Sequence, residues 1–178
     1  AYSVRQNMEV KYALAKEALY RSLSQDILMY RPLEYFFIYT QEDMMLVPSA
    51  TQARTLDSID MTEGLRTLLS AGKEGKSRYN RQWELGYING ERYLYRYLWF
   101  QDTCFGACVS VKQLLEMLGE FSLSDYEVFF EAGEEGEERT YGSDLLIRVP
   151  SESGNFDVAI RVPSERLYEE LRVVLYQS

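Results

Sequence analysis

One pattern occurs twice in this chain and restricts its fold more than any other. Cys104–Leu118 reads as a short apolar strand running into Ser-Val-Lys-Gln-Leu-Leu-Glu-Met-Leu, and Phe156–Leu175 reads as a second strand running into Pro-Ser-Glu-Arg-Leu-Tyr-Glu-Glu-Leu. Each changes from a two-residue to a 3.6-residue apolar period, as a strand does when it hands over to a helix. Two such closures in 178 residues predict two small α+β modules, or one module and a remnant.

The rest of the chain supplies matching elements. Val4, Met8, Tyr12, Ala15, Leu19, Leu23, Ile27 and Tyr30 recur every three or four residues, which predicts one helix over Val4–Tyr30, about 40 Å long. Pro32 ends it. One small sheet is too short to cover such a helix, so its first half is expected to meet a partner or to continue upstream. Tyr35–Thr40 and Met44–Val47 form a hairpin around Gln41-Glu42-Asp43. Pro48–Leu56 is irregular. A helix over Glu63–Ala71, capped by Asp60 or Thr62, ends at Gly72, and a polar loop follows to Asn80.

Asn89-Gly90 is a strong two-residue hairpin signal. It joins Trp83–Ile88 to Arg92–Phe100, and a turn at Asp102-Thr103 leads to Cys104–Val109. Ser110 and Gln113 fit a capping box, and the helix they open ends at Gly119. Beyond it, Tyr126–Phe130, Asp144–Val149 and Phe156–Val162 read as strands, the first two separated by an acidic loop over Glu131–Gly142. Ser164 caps a last helix with the stripe Leu167, Leu171, Val174 and Leu175. No Met stands at position 1 and both terminal helices read as cut, so the chain is expected to be a piece of a longer protein.

Composition removes several functions. The 28 acidic against 19 basic residues, a net charge of −9, argue against binding to nucleic acid or to an anionic membrane surface. With no histidine, Ser-His-Asp and Cys-His catalysis, His-ligated haem and the usual zinc sites are excluded, and no cofactor or metal is expected. Cys104 and Cys108 fall on one face of one strand, roughly 13 Å apart. That is too far for an intrachain disulfide, and two buried thiols are expected. No apolar run of 18 residues is present to span a membrane.

Fifteen tyrosines make the aromatics the main candidates for function. Arg92–Phe100 places Tyr93, Tyr95, Tyr97 and Trp99 on one face and Arg96 on the other, and Trp83 and Tyr87 on the neighbouring strand could extend the aromatic face. That face either lines a ligand cavity or packs as core under the long N-terminal helix. Arg96 is either a carboxylate- or phosphate-binding group or a solvent-facing or paired Arg. Glu134–Glu138 lacks EF-hand spacing and reads as a solvated charge run. Gly72, Gly75 and Lys76 do not make a phosphate loop. Asp57, Asp60 and Glu63 have no evident partner for acid–base chemistry.

The layout resembles the extracytoplasmic Cache (PAS-like) sensor domains of bacterial membrane receptors. The resemblance lies in the long first helix, the hairpin, the three-strand run around Asn89-Gly90, the stretch Phe105-Gly106-Ala107-Cys108-Val109-Ser110-Val111-Lys112-Gln113-Leu114-Leu115, and the closing Val158–Val162 with Pro163-Ser164-Glu165. It is nearest to the domains of sensor histidine kinases and membrane-bound transcriptional regulators. It implies an α+β, double-Cache-like arrangement. Residues 1–34 would be a signalling and dimerisation helix, 35–119 a membrane-distal module, 120–163 a smaller membrane-proximal module and 164–178 an outgoing helix. It also implies a non-catalytic extracellular domain of a cell-membrane protein, flanked by membrane helices and dimeric through its first helix. A small-molecule ligand would contact Trp83, Tyr87, Tyr93, Tyr95, Arg96, Tyr97 and Trp99. The amino-acid-binding signature of some double Cache domains is not matched, so no ligand class follows. A cytoplasmic PAS-like or adaptor domain and a carboxylate-dependent hydrolase are the alternatives.

Overall fold

The helix predicted at the N-terminus is present as α1, Tyr2–Asp26, followed by a single 3-10 turn, Ile27–Met29. The structure is a computed structural model that describes residues 2–41, 43–49, 57–71, 82–119, 127–132 and 142–166, without the side chains of 2–6, 57–59 and 71. The regular α1 therefore ends four residues before Tyr30, where the tighter turn sets Ile27 into the core. Among the described residues of the predicted apolar stripe, only Ile27 is buried and Leu23 half-buried. Met8, Tyr12 and Leu19 remain exposed, the first two at 68% and 61%.

The fold is α+β with antiparallel sheets. A five-stranded sheet has the order β2-β1-β5-β4-β3, from Tyr35–Tyr39 (β1), Met44–Pro48 (β2), Glu84–Ile88 (β3), Glu91–Phe100 (β4) and Thr103–Ser110 (β5). A three-stranded sheet has the order β6-β8-β7, from Glu127–Ala132 (β6), Leu145–Pro150 (β7) and Phe156–Val162 (β8). Helix α2 covers Asp57–Ala71 and α3 covers Val111–Gly119.

Three sequence expectations are corrected. Helix α2 begins at Asp57 rather than Glu63, so Asp60 and Thr62 are helical residues and not caps. Its buried stripe, Met61, Leu65 and Leu69, starts one turn earlier than the cap residues suggest. The turn after β4 is Gln101-Asp102, with Gln101 at φ +53°, and Thr103 already belongs to β5. Gly119 is the last residue of α3 rather than the first beyond it.

Other local signals act as read. Asn89 and Gly90 take left-handed φ of +52° and +82°, as a two-residue hairpin of the primed type requires. Ser110 Oγ accepts the Gln113 backbone N–H at 3.1 Å, which caps α3. Ser164, by contrast, is not a cap: it is already helical, and its N–H is accepted by Asp144 at 3.0 Å. The helix stripe from Leu167, the acidic run Glu134–Glu138 and the Gly72–Asn80 loop lie outside the described residues.

The chain divides into two compact units. One comprises Ala1–Arg81, Ile88–Glu91 and Arg96–Val109, the other Gln82–Tyr87, Arg92–Tyr95 and Ser110–Ser178. In the first, Glu34 N–H bonds Cys108 C=O and Ser49 N–H bonds Glu34 C=O, which extends the sheet by one residue at that end. In the second, Trp83 forms a parallel bridge with Gly154, through Trp83 N–H to Ser153 C=O and Asn155 N–H to Trp83 C=O.

Candidate functional site

Strand register decides which aromatics share a face. In the first unit Tyr35, Phe37 and Tyr39 lie opposite Cys108, Gly106 and Cys104 on β5, and opposite Pro48, Leu46 and Met44 on β2. Directly paired residues point to the same side of a sheet. Trp99 joins this side, edge-on to Tyr39 with ring centroids 5.9 Å apart. Tyr97, one alternation away on β4, is buried. The first unit thus carries an aromatic face of Tyr35, Phe37, Tyr39, Tyr97 and Trp99.

Glycine makes room for it. A Cβ on Gly106 would lie 2.6 Å from Phe37 Cε2 and 2.7 Å from the Arg96 carbonyl oxygen. The Phe37 ring therefore occupies the space a side chain would take. On the other side of the sheet, Tyr30 packs edge-on against Phe36 at 6.3 Å. Tyr30, just beyond α1, thus seats on the side opposite Phe37 and Trp99. Helix α2 lies against β2, and its Gly64 comes close to Ile88 and Asn89. Asn89 Nδ2 donates to the Asp60 carbonyl at 2.5 Å, tying the hairpin to α2.

Polar groups of this unit are few. Cys104 and Cys108 are free and fully buried, as the strand spacing requires. Burial pushes the Cys104 thiol up to about 12. Burial, with the nearby Glu34 carboxylate adding, raises Cys108 well above its ordinary value. Neither thiol is a nucleophile at neutral pH. Glu34, which the sequence reading did not single out, is buried directly before β1. A lone acid ahead of an aromatic strand was its only signal. At the far end of the first unit, the Lys16 ammonium pairs with Asp43 and holds that carboxyl below its ordinary value.

In the second unit Tyr95 is buried, and its hydroxyl donates to Glu84 Oε2 at 2.7 Å. Gly86 leaves space for that ring, since its Cβ would lie 2.7 Å from Tyr95 Cε1. Tyr93 is also buried. Tyr87 is exposed and turns to the opposite side, where the Arg92 guanidinium lies 5.8 Å from its ring centre and bonds its hydroxyl at 3.1 Å. It does not extend the aromatic face. Arg92 also donates to the Phe130 carbonyl at 3.1 Å, a tie between β4 and β6 that sequence reading missed because a strand-end Arg looks like any surface charge. Trp83 is half-buried and contributes its backbone to the Gly154 bridge.

Arg96 is exposed, on the side of β4 opposite Tyr95 and Tyr97. Asp60 and Glu63 are likewise exposed on α2. No described helix is long and apolar enough to cross a membrane. No family model, no curated protein and no solved structure matches the chain.

Proposed function

We propose that this chain is the ligand-sensing domain of a bacterial membrane receptor of the Cache (PAS-like) kind. It binds a small molecule on the aromatic face of the first unit. It stands outside the cytoplasmic membrane and passes its signal along its terminal helices, with an output module of the histidine-kinase or transcriptional-regulator type elsewhere in the parent protein. The domain itself carries no catalysis. The observation that carries this reading is the run of aromatic groups on one side of β1 and β4, set against thiols too buried to react and without a histidine. Aromatic planes and phenolic hydroxyls suit an organic ligand better than they suit acid–base chemistry. The exposed stripe Met8, Tyr12 and Leu19 on α1 supports homodimerisation through that helix.

The test is a panel of amino acids, organic acids, sugars and short peptides, read by thermal shift and by Trp99 emission in a Trp83→Phe background. A ligand at about 100 times its Kd stabilises the native state by about 2.7 kcal/mol. Trp99→Ala is expected to abolish the emission response and weaken the shift. A panel without effect on either readout, or a shift that Trp99→Ala leaves intact, overturns the assignment.

A further inference from the structure

The three-stranded sheet has two unlike sides. Its register puts Leu145, Ile147 and Val149 of β7 on the same side as Val162, Ile160 and Val158 of β8. Side chains of the central strand on this side are half-buried, whereas Leu145, Ile147 and Val149 on the edge strand remain 44%, 44% and 56% exposed. The other side is an ion-pair layer. Arg148 pairs with Glu131 of β6 at 3.2 Å, and Arg161 pairs with Glu127 at 3.1 Å and Asp144 at 2.7 Å. Arg148 reaches β6 because its partner across β8 is Ala159, whose methyl leaves the way open.

An edge strand presents unpaired backbone groups and is normally guarded by free charge, proline or a bulge. In β7 the one charged side chain is drawn back over its own sheet to Glu131, and proline comes only at the last position, Pro150. Among the described residues, 145–149 are therefore an edge guarded by no free charge or inner proline, with three exposed apolar side chains. The strand is also complementary to itself. Paired antiparallel about a two-fold axis at Ile147, Leu145 meets Val149 of a second copy, Ile147 meets its own counterpart, and Leu146 lies opposite Arg148. No like charges then face each other, whereas a register centred on Arg148 would oppose two guanidinium groups, which is unfavourable. Self-complementarity about a two-fold axis is what an isologous contact needs.

We infer that β7 pairs antiparallel with β7 of a second copy of this chain, centred on Ile147, so that two three-stranded sheets join into one of six. The contact is independent of the sensor reading and of α1. Disulfide trapping in the 178-residue chain tests it. In this register Ile147→Cys places two thiols on Cβ atoms about 4.5–5.5 Å apart across the axis, close enough to bond after a shift of about 1 Å or less. Val149→Cys places its thiols roughly 13 Å apart, too far to bond, yet mixed with Leu145→Cys chains it forms a crosslinked pair. Cys104 and Cys108 are fully buried and do not compete. Mild oxidation is expected to give a covalent dimer from Ile147→Cys and from the 145/149 mixture, and little from Val149→Cys alone. Ile147→Arg, which sets like charges face to face, is expected to weaken self-association in sedimentation by about tenfold or more. The proposal is overturned by equal trapping at 147 and 149, by no trapping at 147, by an unchanged dimer in Ile147→Arg, or by an edge that accepts an added strand peptide but not a second copy. Trapping at 147 reads β7 alone, so its failure leaves dimerisation through α1 standing.

Discussion

Gly106→Ala is the change that most directly tests how the aromatic face is built. Gly106 lies opposite Phe37, whose side chain is 1% exposed. The new methyl would lie 2.6 Å from Phe37 Cε2 and 2.7 Å from the Arg96 carbonyl oxygen. One obstacle is a buried ring that has no room to turn, and the other is backbone. Overpacking of this kind costs about 1–3 kcal/mol, and two fixed obstacles favour the upper part of that range. Losing the glycine's freedom in the unfolded chain returns about 0.4–1 kcal/mol, so the net loss is about 2 kcal/mol. With a urea m value of about 2 kcal/mol per molar, the midpoint falls by about 1 M. The assay is a urea titration followed by Trp99 emission in a Trp83→Phe background, since Trp99 packs edge-on Tyr39 on the same face. Phe37→Leu removes the colliding ring edge. The double variant should therefore show a favourable coupling of at least about 1 kcal/mol. A midpoint at or above that of the parent, or two strictly additive single effects, would refute the seating of Phe37 over residue 106 and with it the β1–β5 register.

Three further outcomes are expected. Gly90→Ala meets open space but keeps φ +82°, so it should cost about 1–2 kcal/mol through backbone strain alone; an unchanged urea midpoint would count against the left-handed turn. Native protein at pH 8 should resist a thiol reagent until urea is added, because burial holds both thiols protonated, Cys104 up to about 12. The unfolded chain ionises these thiols at their ordinary, lower values, so stability is full below that range and falls as pH rises towards the folded values; rapid labelling without urea would sink this. Asp144 is held below its ordinary value, first by the Ser164 backbone N–H and then by Arg161. Its contribution is present above the ordinary carboxylate range and lost as pH falls through the lowered value. Asp144→Asn should therefore melt below the parent at neutral pH, with the gap closing in acid, as circular dichroism melts at both pH values will show.

Legibility in the sequence followed the range of the interaction. Asn89-Gly90 dictated its hairpin and Ser110 capped α3 because each acts within a few residues of itself. The strand period placed Tyr93, Tyr95, Tyr97 and Trp99 on one face and Arg96 on the other, and the structure buries the first three. The start of α2 was misplaced because Asp60 and Thr62 are cap-forming residue types, and only the burial of Met61 shows that the helix is already under way there. Tyr87 alternates correctly for an aromatic strand, yet it belongs to the side where Arg92 stands. Periodicity within one strand does not by itself give the matching side; the two-residue turn at Asn89-Gly90 does, by setting Tyr87 opposite Arg92. Arg92 and Ala159 gave no signal, and Glu34 only that of a lone acid before an aromatic strand, because each owes its role to a residue far away in the chain.

By itself the sequence determined the elements of the recurring strand-to-helix pattern as far as they are described, the α+β class, the absence of imidazole chemistry and the impossibility of a Cys104–Cys108 bridge. These follow from composition and from distances along a single strand. Tertiary structure alone decided that α1 leaves most of its stripe in solvent, that Gly106 yields its space to Phe37, and that Ala159 lets Arg148 cross to Glu131. Those outcomes depend on which strands become neighbours and in what register. Outside tight hairpins, register is set by the sum of many weak contacts between segments remote in sequence, which no local pattern encodes.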